Sequence, residues 1–243
     1  MTNWIALVVV FMMLVGQTGM ANPAATGSGQ AAAGIEAENR ESEPAASYAM
    51  ESDTATVSTR KTQIGEQYVS GDYEYVILPD GTAEISFYRG KAEELVIPDN
   101  LDGIPVTGIG DKVFLMCGSL TSVKLPDGVT SIGSFAFSLC RSLKTVSIPD
   151  SVTEIGISAF SECRSLECVE IPDSVTEIGI SAFSGCRSLE CVEIPDGVTG
   201  ISDGLFKNCD MLTRVILPEG ITSIGEMRSI AAIPWLRLIF RTA

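Results

Sequence analysis

The cysteines are the residues whose type and spacing could do chemistry in this chain. The stretch "CRSLECVEIPD" at 186–196 places Cys186 and Cys191 in a C-x₄-C arrangement. Thiolates bind soft metals and exchange disulfides, so a metal or redox centre is the first hypothesis. However, the same eleven letters occur at 163–173, and "CRSLKTVSIPD" occurs at 140–150. This recurrence favours a structural repeat, and C-x₄-C is a poor match to the spacing of zinc ligands.

A period of 23 residues organises the second half of the chain. Segments 151–173 and 174–196 differ only at Glu162, which becomes Gly185 in the second copy. An earlier copy is expected to begin at Leu95 and to be two residues longer, because "NLDGIPVTGIG" carries an insertion. A fixed period of this length predicts a stacked solenoid. Its marker is a leucine in each copy: Leu120, Leu143, Leu166, Leu189 and Leu212.

Each copy predicts a short strand, a turn and an inward-facing segment. In the copy from Leu143 to Ser165, apolar and polar residues alternate up to Ile148, as in a half-buried strand. Pro149 cannot continue a hydrogen-bonded ladder and therefore ends the strand. The later "AFSEC" fits one helical or 3₁₀ turn that points inward. One copy cannot cover its own apolar face, so the copies must stack.

These motifs resemble a known family. The 23-residue signature "LTSVKLPDGVTSIGSFAFSLCRS" at 120–142 is similar to the leucine-rich repeats of the treponemal or BspA-like class. The entry segment "YEYVILPDGTAEISFYRGKAEELVIPDNLDGIPVTGIG" is similar to the hairpin and first repeat that open such domains. The resemblance implies a right-handed leucine-rich-repeat solenoid with a concave parallel sheet and an N-terminal β-hairpin cap. It also implies surface or secreted proteins that bind macromolecules, some as adhesins, and it brings no catalytic residues.

The rest of the chain divides by composition. An apolar run at 4–16 followed by "GMA" predicts a signal peptide cleaved after Ala21, with an uncleaved anchor or buried segment as the alternative. A small, polar segment after it cannot bury enough surface to order itself and predicts a linker. The predicted organisation is a signal peptide at 1–21, a disordered linker at 22–64, a capping hairpin at 65–94, repeats at 95–225 and an atypical tail at 226–243.

The tail departs from the repeat pattern. After Gly225 the pattern requires x-x-A-F-x-x-C, but the chain continues "EMRSIAAIPWLRLIFRTA". A solenoid needs a cap over its last rung, and Trp235, Leu236, Leu238 and Ile239 could supply an amphipathic one. The other interpretation is a truncated array, and both remain open at this point.

Charge and composition exclude several classes of function. The chain has 31 acidic and 16 basic residues, a formal net charge of −15, and no histidine. The negative charge argues against nucleic acid or an anionic membrane as a partner. The lack of histidine removes Ser-His and Cys-His nucleophile pairs and the commonest transition-metal ligand. We therefore expect no enzymatic activity and no cofactor.

The repeat register sorts the seven cysteines into two groups. The A-F-x-x-C position predicts an internal ladder in which cysteine acts as a small buried hydrophobe. Cys168 and Cys191 instead occupy the third strand position, which should face solvent on the concave sheet. Because neighbouring strands lie about 4.8 Å apart, these thiols are expected to be close. They could form a strained cross-strand disulfide, stay free or pair with another chain. The ladder comprises Cys117, Cys140, Cys163, Cys186 and Cys209.

The outward strand positions define a candidate binding face. Four glutamates stack in the two nearly identical copies, between basic residues at both ends. They could be a merely solvated surface, an acidic patch for a basic partner segment or, least favoured, a calcium site. The predicted face consists of Lys124, Lys144, Glu167, Cys168, Glu170, Glu190, Cys191, Glu193 and Arg214.

Together these features predict a secreted or cell-surface leucine-rich repeat binding protein. Its partner would be an extracellular protein or glycoprotein held on the concave sheet, with no substantial membrane insertion after signal cleavage. The alternative is a structural or self-associating repeat protein, or a truncated gene product.

Overall fold

The computed structural model describes residues 66–225 and 237–240. The predicted signal peptide at 1–21, the predicted linker at 22–64 and most of the tail at 226–243 lie outside the described residues. Within the described ranges, no helix has the length and apolar character needed to cross a bilayer. The described part covers the predicted cap and all the predicted repeats.

The described chain begins with three antiparallel strands. β1 (Gln67–Ser70) pairs with β2 (Tyr73–Ile77), and β2 pairs with β3 (Ala83–Tyr88), so the cap has one strand more than a hairpin. The hydroxyls of Ser70 and Tyr75 donate hydrogen bonds to the Asp102 carboxylate at 2.7 and 3.0 Å. These bonds connect the cap to the loop that carries the insertion of the first copy.

The solenoid has a front sheet of parallel strands, which is the sheet predicted to be concave. It forms in two halves of three strands each, and every pairing joins residues of successive copies. In four of these strands the central valine is buried and its neighbours are exposed or partly exposed, as the alternation predicted, and Leu95 is buried at the same position of the first strand. The strands are β4 (Glu94–Val96), β7 (Ser122–Lys124), β9 (Thr145–Ser147), β12 (Cys191–Glu193), β14 (Arg214–Leu217) and β16 (Arg237–Phe240).

A back sheet of shorter strands covers the opposite side. It is in two parts: the first runs from the cap to the strand at 177–178, and the strands at 200–201 and 223–224 pair only with each other. Its two-residue strands end where the repeat has a glycine or, once, a serine. At Gly133 a Cβ would lie 2.6 Å from the Gly110 carbonyl carbon, so the close stacking of copies requires glycine there. The strands after β5 (Asn100–Leu101) are β6 (Ile104–Ile109), β8 (Ser131–Ile132), β10 (Glu154–Ile155), β11 (Glu177–Ile178), β13 (Gly200–Ile201) and β15 (Ser223–Ile224).

The segment predicted to be a helical or 3₁₀ turn forms consecutive hydrogen-bonded turns instead. Phe135 and Leu139 have φ angles of +58° and +63°, which no right-handed helix accommodates. The amide of Cys140 still bonds to the carbonyl of Phe137 at 3.2 Å. The prediction of a helical turn was therefore wrong, although the inward direction of Ala136 and Phe137 was correct.

A ladder of stacked phenylalanine rings fills the interior. Neighbouring rings lie 4.9 to 6.0 Å apart with interplanar angles of 17° or less, and Tyr88 of the cap contacts the first ring at 5.1 Å. Each ring is essentially inaccessible to solvent, so the ladder is the continuous core that joins the copies. Its members are Phe114, Phe137, Phe160, Phe183 and Phe206.

The register differs from the expected one at both ends of the array. Leu95 pairs with Val123, so it occupies the valine position, and Ala92 stands where later copies have leucine. In the tail, Leu238 pairs with Val215, 23 residues before it. Residues 237–240 therefore add one more front strand in register, while the side chain of Trp235 lies outside the described residues.

Candidate binding face

All nine predicted face residues lie on the front-sheet side of the solenoid. Eight of them are exposed, and Cys191 is partly buried. They divide between two regions, because Lys124 and Lys144 belong to the first half of the front sheet and the other seven to its second half or to the gap before it. The structure thus separates the two lysines from the acidic group.

The front sheet is interrupted in the middle. Residues 168–170 form no strand, and their only sheet pairing is a single parallel bridge between Cys168 and Cys191. We call the front-sheet segment of one copy a rung. On the rung at 168–170, Ile171 is only partly buried, whereas the equivalent Ile194 is fully buried on the next rung. Among the described rungs of the front sheet, the one that carries the first copy of the acidic sequence is thus the one that forms no strand.

A cleft of about 350 Å³ opens beside this interrupted rung. Glu170 and Glu193 line it from successive rungs, and Arg214 and Ile216 line it from β14. Glu167, Glu190 and the two lysines are not part of its lining. The cleft therefore gathers five of the nine predicted residues: Cys168, Glu170, Cys191, Glu193 and Arg214.

Six further lining residues were not part of the predicted face: Val169, Ile171, Asp173, Val192, Pro195 and Ile216. Of these, Asp173 and Pro195 stand where the repeat pattern places a turn after the strand. No local signal distinguishes Asp173 from Asp196, because each follows the same "EIP" letters. Only the interruption of the sheet makes these turn residues part of a cavity.

The two glutamates of the cleft, Glu170 and Glu193, have different neighbours across the sheet. Continuing the register of the Cys168–Cys191 bridge would align Glu170 with Glu193, and like charges at directly opposed positions are destabilising. Glu193 in turn pairs with Ile216, and Cys191 pairs with Arg214. The second acidic rung, 191–193, thus pairs with a strand that carries an apolar residue and a cation. The first acidic rung, 168–170, instead lies next to the glutamates of the second. Within the described ranges, no three His, Cys, Asp or Glu side chains are arranged to hold a metal ion.

The interior cysteines have a defined hydrogen-bonding role. The thiol of each of four ladder members donates to the carbonyl oxygen of the preceding copy's phenylalanine at 3.0 to 3.2 Å. Burial raises the pKa of both Cys140 and Cys209 to about 12, so these thiols stay protonated donors at neutral pH. The prediction of a buried ladder is correct for these four, while Cys117 at its start is partly exposed.

The two face cysteines differ from the ladder in their accessibility. Cys168 is exposed and Cys191 is partly buried. Partial burial is the largest cause that raises the pKa of Cys168, followed by the neighbouring Cys191 and then Glu170 and Glu190. This pair is therefore accessible to reagents, although its surroundings hold the first thiol in the neutral form.

Comparison with known proteins agrees with this architecture. The family model for the BspA type leucine rich repeat region matches residues 107–228 in six copies. No curated protein matches the chain significantly.

Three solved structures are similar to the chain. A leucine rich repeat protein of T. pallidum is 32% identical, with a TM-score of 0.60 over 66% of this chain and 82% of that one. A leucine rich cell surface protein of Faecalibacterium prausnitzii is 37% identical, with a TM-score of 0.59 over 67% and 51%. A leucine-rich repeat protein of Bacteroides ovatus is 26% identical, with a TM-score of 0.52 over 72% and 53%.

The matched region thus spans only about half the length of two of these three proteins. The family match, together with the 23-residue register and the parallel front and back sheets, identifies the fold. This chain belongs to the BspA-type leucine-rich repeat family.

Proposed function

We propose that this protein is a secreted or cell-surface binding protein that holds an extracellular protein or glycoprotein on its front sheet. The observation that carries the proposal is the cleft of about 350 Å³ in the middle of that sheet, lined by acidic side chains and one arginine. Extended sheet faces of solenoids are the surfaces on which such proteins bind their partners.

The surroundings of the cleft favour a macromolecular partner over a small molecule. The cleft is open along the sheet, and exposed residues continue on both sides of it, from Lys124 to Arg214. The stacked phenylalanine ladder beneath the sheet holds the regular strands on both sides of the cleft in place before binding, which lowers the entropic cost of association. A partner with a basic segment would complement Glu170 and Glu193.

The proposed location has partial support from similar proteins. The F. prausnitzii structure is described as a cell surface protein. Leucine-rich repeat solenoids are typically platforms for binding rather than catalytic domains, and we propose no enzymatic turnover for this chain.

The test is binding of the purified full chain to a panel of matrix and serum glycoproteins. A double variant, Glu170→Gln with Glu193→Gln, removes two charges from the cleft. We expect it to weaken binding about tenfold, mainly through the association rate. Binding that is unaffected by this change would place the partner elsewhere on the molecule.

A matched control exists in the same two copies. Glu154 and Glu177 are exposed on successive strands of the back sheet and pair with each other. Changing both to Gln removes the same charge from the opposite side, and we expect binding to be retained. A folded chain that binds no panel member, and whose sedimentation depends on protein concentration, would favour the alternative of a self-associating structural protein.

A further inference from the structure

The two face cysteines form a pair that the proposed binding function does not use. They lie opposite each other on successive rungs, joined by the isolated bridge between Cys168 and Cys191. Both line the open cleft, whereas four of the other five cysteines are buried in the core. The described structure thus presents one addressable dithiol on its front sheet.

The geometry is compatible with a bond between the two sulfurs. Paired strands lie about 4.8 Å apart, which falls inside the Cα separation of about 4.4–6.8 Å that disulfides span. In a regular ladder the two Cβ atoms would be parallel and slightly too far apart. Here the bridge at Cys168 is not continued by strand pairing at 169 and 170, so a small backbone adjustment beyond the hydrogen bonds of Glu167 can close the distance without breaking a ladder.

We propose that Cys168 and Cys191 are a thiol–disulfide exchange site that closes to a cross-rung disulfide. Its co-reactant is a low-molecular-weight disulfide, and the carboxylates around the pair select a cationic one. The proposal stands on the register and on the charges of the cleft, independently of any binding partner.

The reaction balances in two steps. The thiolate of one cysteine attacks a sulfur of the small disulfide, forms a mixed disulfide and expels one thiolate. The neighbouring cysteine, after losing its proton to solvent, attacks the protein sulfur of the mixed disulfide and expels the second. The protein loses two hydrogens and two electrons, and the small disulfide is reduced to two thiols.

The selectivity comes from four carboxylates around the pair. Glu170 and Glu193 line the cleft with the thiols, and Glu167 and Glu190 precede the two cysteines in their strands. A cationic disulfide is attracted to this field, and its charge also favours the thiolate that must attack. Arg214 opposes this effect from the next strand, but it is one cation beside four acids.

The experiment treats the reduced full chain with cystamine, which is cationic, or with 2-hydroxyethyl disulfide, which is neutral and of similar size. The readouts are intact mass and non-reducing tryptic mapping. We expect a monomer lighter by two hydrogen atoms, with the peptide 165–187 joined to the peptide 188–207. Fragmentation of the linked pair distinguishes Cys168 from Cys186 in the first peptide. Stable adducts on both cysteines, or a disulfide-linked dimer, would overturn the proposal.

Two variants separate closure from charge selection. In Cys191→Ser the mixed disulfide at Cys168 cannot resolve, so an adduct should persist on that cysteine alone. In the variant with Glu167, Glu170, Glu190 and Glu193 changed to Gln, the preference for cystamine should fall about tenfold. If the preference is unchanged, the selectivity part of the proposal is wrong, whether or not the disulfide closes.

Discussion

Two rungs of the front sheet have the same sequence and different structures. Residues 166–173 and 189–196 both read "LECVEIPD", yet 191–193 form strand β12 and 168–170 form only one bridge. The isoleucine is fully buried on the second rung and partly exposed on the first. The interiors of the same two copies are nearly indistinguishable, with flat phenylalanine stacking at 5.3 and 5.5 Å.

The neighbouring strand accounts for this difference. Rung 191–193 lies against Arg214 and Ile216, which offer a cation and an apolar side chain. Rung 168–170 lies between two others, with Thr145 and Ser147 on one side and the glutamates of its twin on the other. Cross-strand pairs are the unit that stabilises a sheet. Strand formation here is therefore a property of neighbouring copies, whereas the core is a property of each copy.

The largest effect is expected from truncating the two equivalent isoleucines. Ile194→Ala removes a fully buried side chain and should lower the free energy of unfolding by about 2–5 kcal/mol. Ile171→Ala should cost less than half as much, because its side chain is already partly exposed. Urea denaturation of both variants measures the difference. Equal losses would mean that the two rungs are held alike in solution.

A smaller effect is expected at the one position where the copies differ. Glu162 has a φ angle of +60°, which is unfavourable for a side chain, whereas Gly185 adopts +75° freely. Gly185→Glu should destabilise the protein by about 1–2 kcal/mol, and a Cβ there would meet a carboxylate oxygen of Glu162 at 2.5 Å.

The reverse change is its control. Glu162→Gly should be neutral or slightly stabilising, since it removes strain but also the hydrogen bonds from Arg164 at 2.8 and 2.9 Å. Thermal melts of the two variants test this, and a large loss of stability for Glu162→Gly would contradict the argument.

A third change should give residues 168–170 the strand structure that residues 191–193 have. Glu170→Ile replaces a repelled carboxylate with the residue type found at position 216, and should stabilise the protein by about 0.2–1 kcal/mol. Hydrogen exchange of the amides from 168 to 171 should slow. Glu170→Gln removes only the charge and should give part of the effect. Unchanged exchange in the isoleucine variant would show that repulsion does not cause the interruption.

The smallest effect concerns reactivity rather than stability. The pKa of Cys168 is raised above its usual 9.0 first by partial burial, then by the neighbouring Cys191 and then by nearby acids, and in the Cys191→Ser variant burial and the acids still raise it. The reactive thiolate therefore forms only as the pH rises through this higher value, and alkylation by neutral iodoacetamide at pH 8 should be slower than for an unstructured cysteine. Rates measured from pH 7 to 10 in the Cys191→Ser variant test this. A midpoint below 9.0 would contradict it.

Much of the fold could be predicted because it depends on the repeat period. The period of 23 residues aligns the leucine, valine, phenylalanine and cysteine positions of successive copies. The parallel sheets and the core were therefore predictable from the pattern of one copy. The predicted start of the first copy was wrong, because Leu95 occupies the position that is valine in later copies. Ala92 occupies the leucine position, and the insertion obscures this correspondence in the sequence. The tail strand was missed because Leu238 keeps the period without the motif.

The site could be predicted only in part. Alternation identified which side chains point outward: eight of the nine chosen residues are exposed, and Cys191 is partly buried. The interruption that creates the cleft could not be read from the letters, because "LECVEIPD" occurs on both rungs. Positive φ angles at Phe135 and Leu139 were equally invisible, since neither residue favours that conformation.

The spacing of the contacts between copies determines how recombination can change the number of repeats. Among the regular copies, the side-chain hydrogen bonds between successive copies span 22 to 26 residues, so each joins one copy only to the next. Recombination that removes one whole 23-residue unit between 151 and 196 would rejoin equivalent donors and acceptors and leave a foldable protein. It would also leave a single face cysteine and two of the four glutamates. A lineage could therefore lose or regain the thiol pair in one genetic event, without any point mutation.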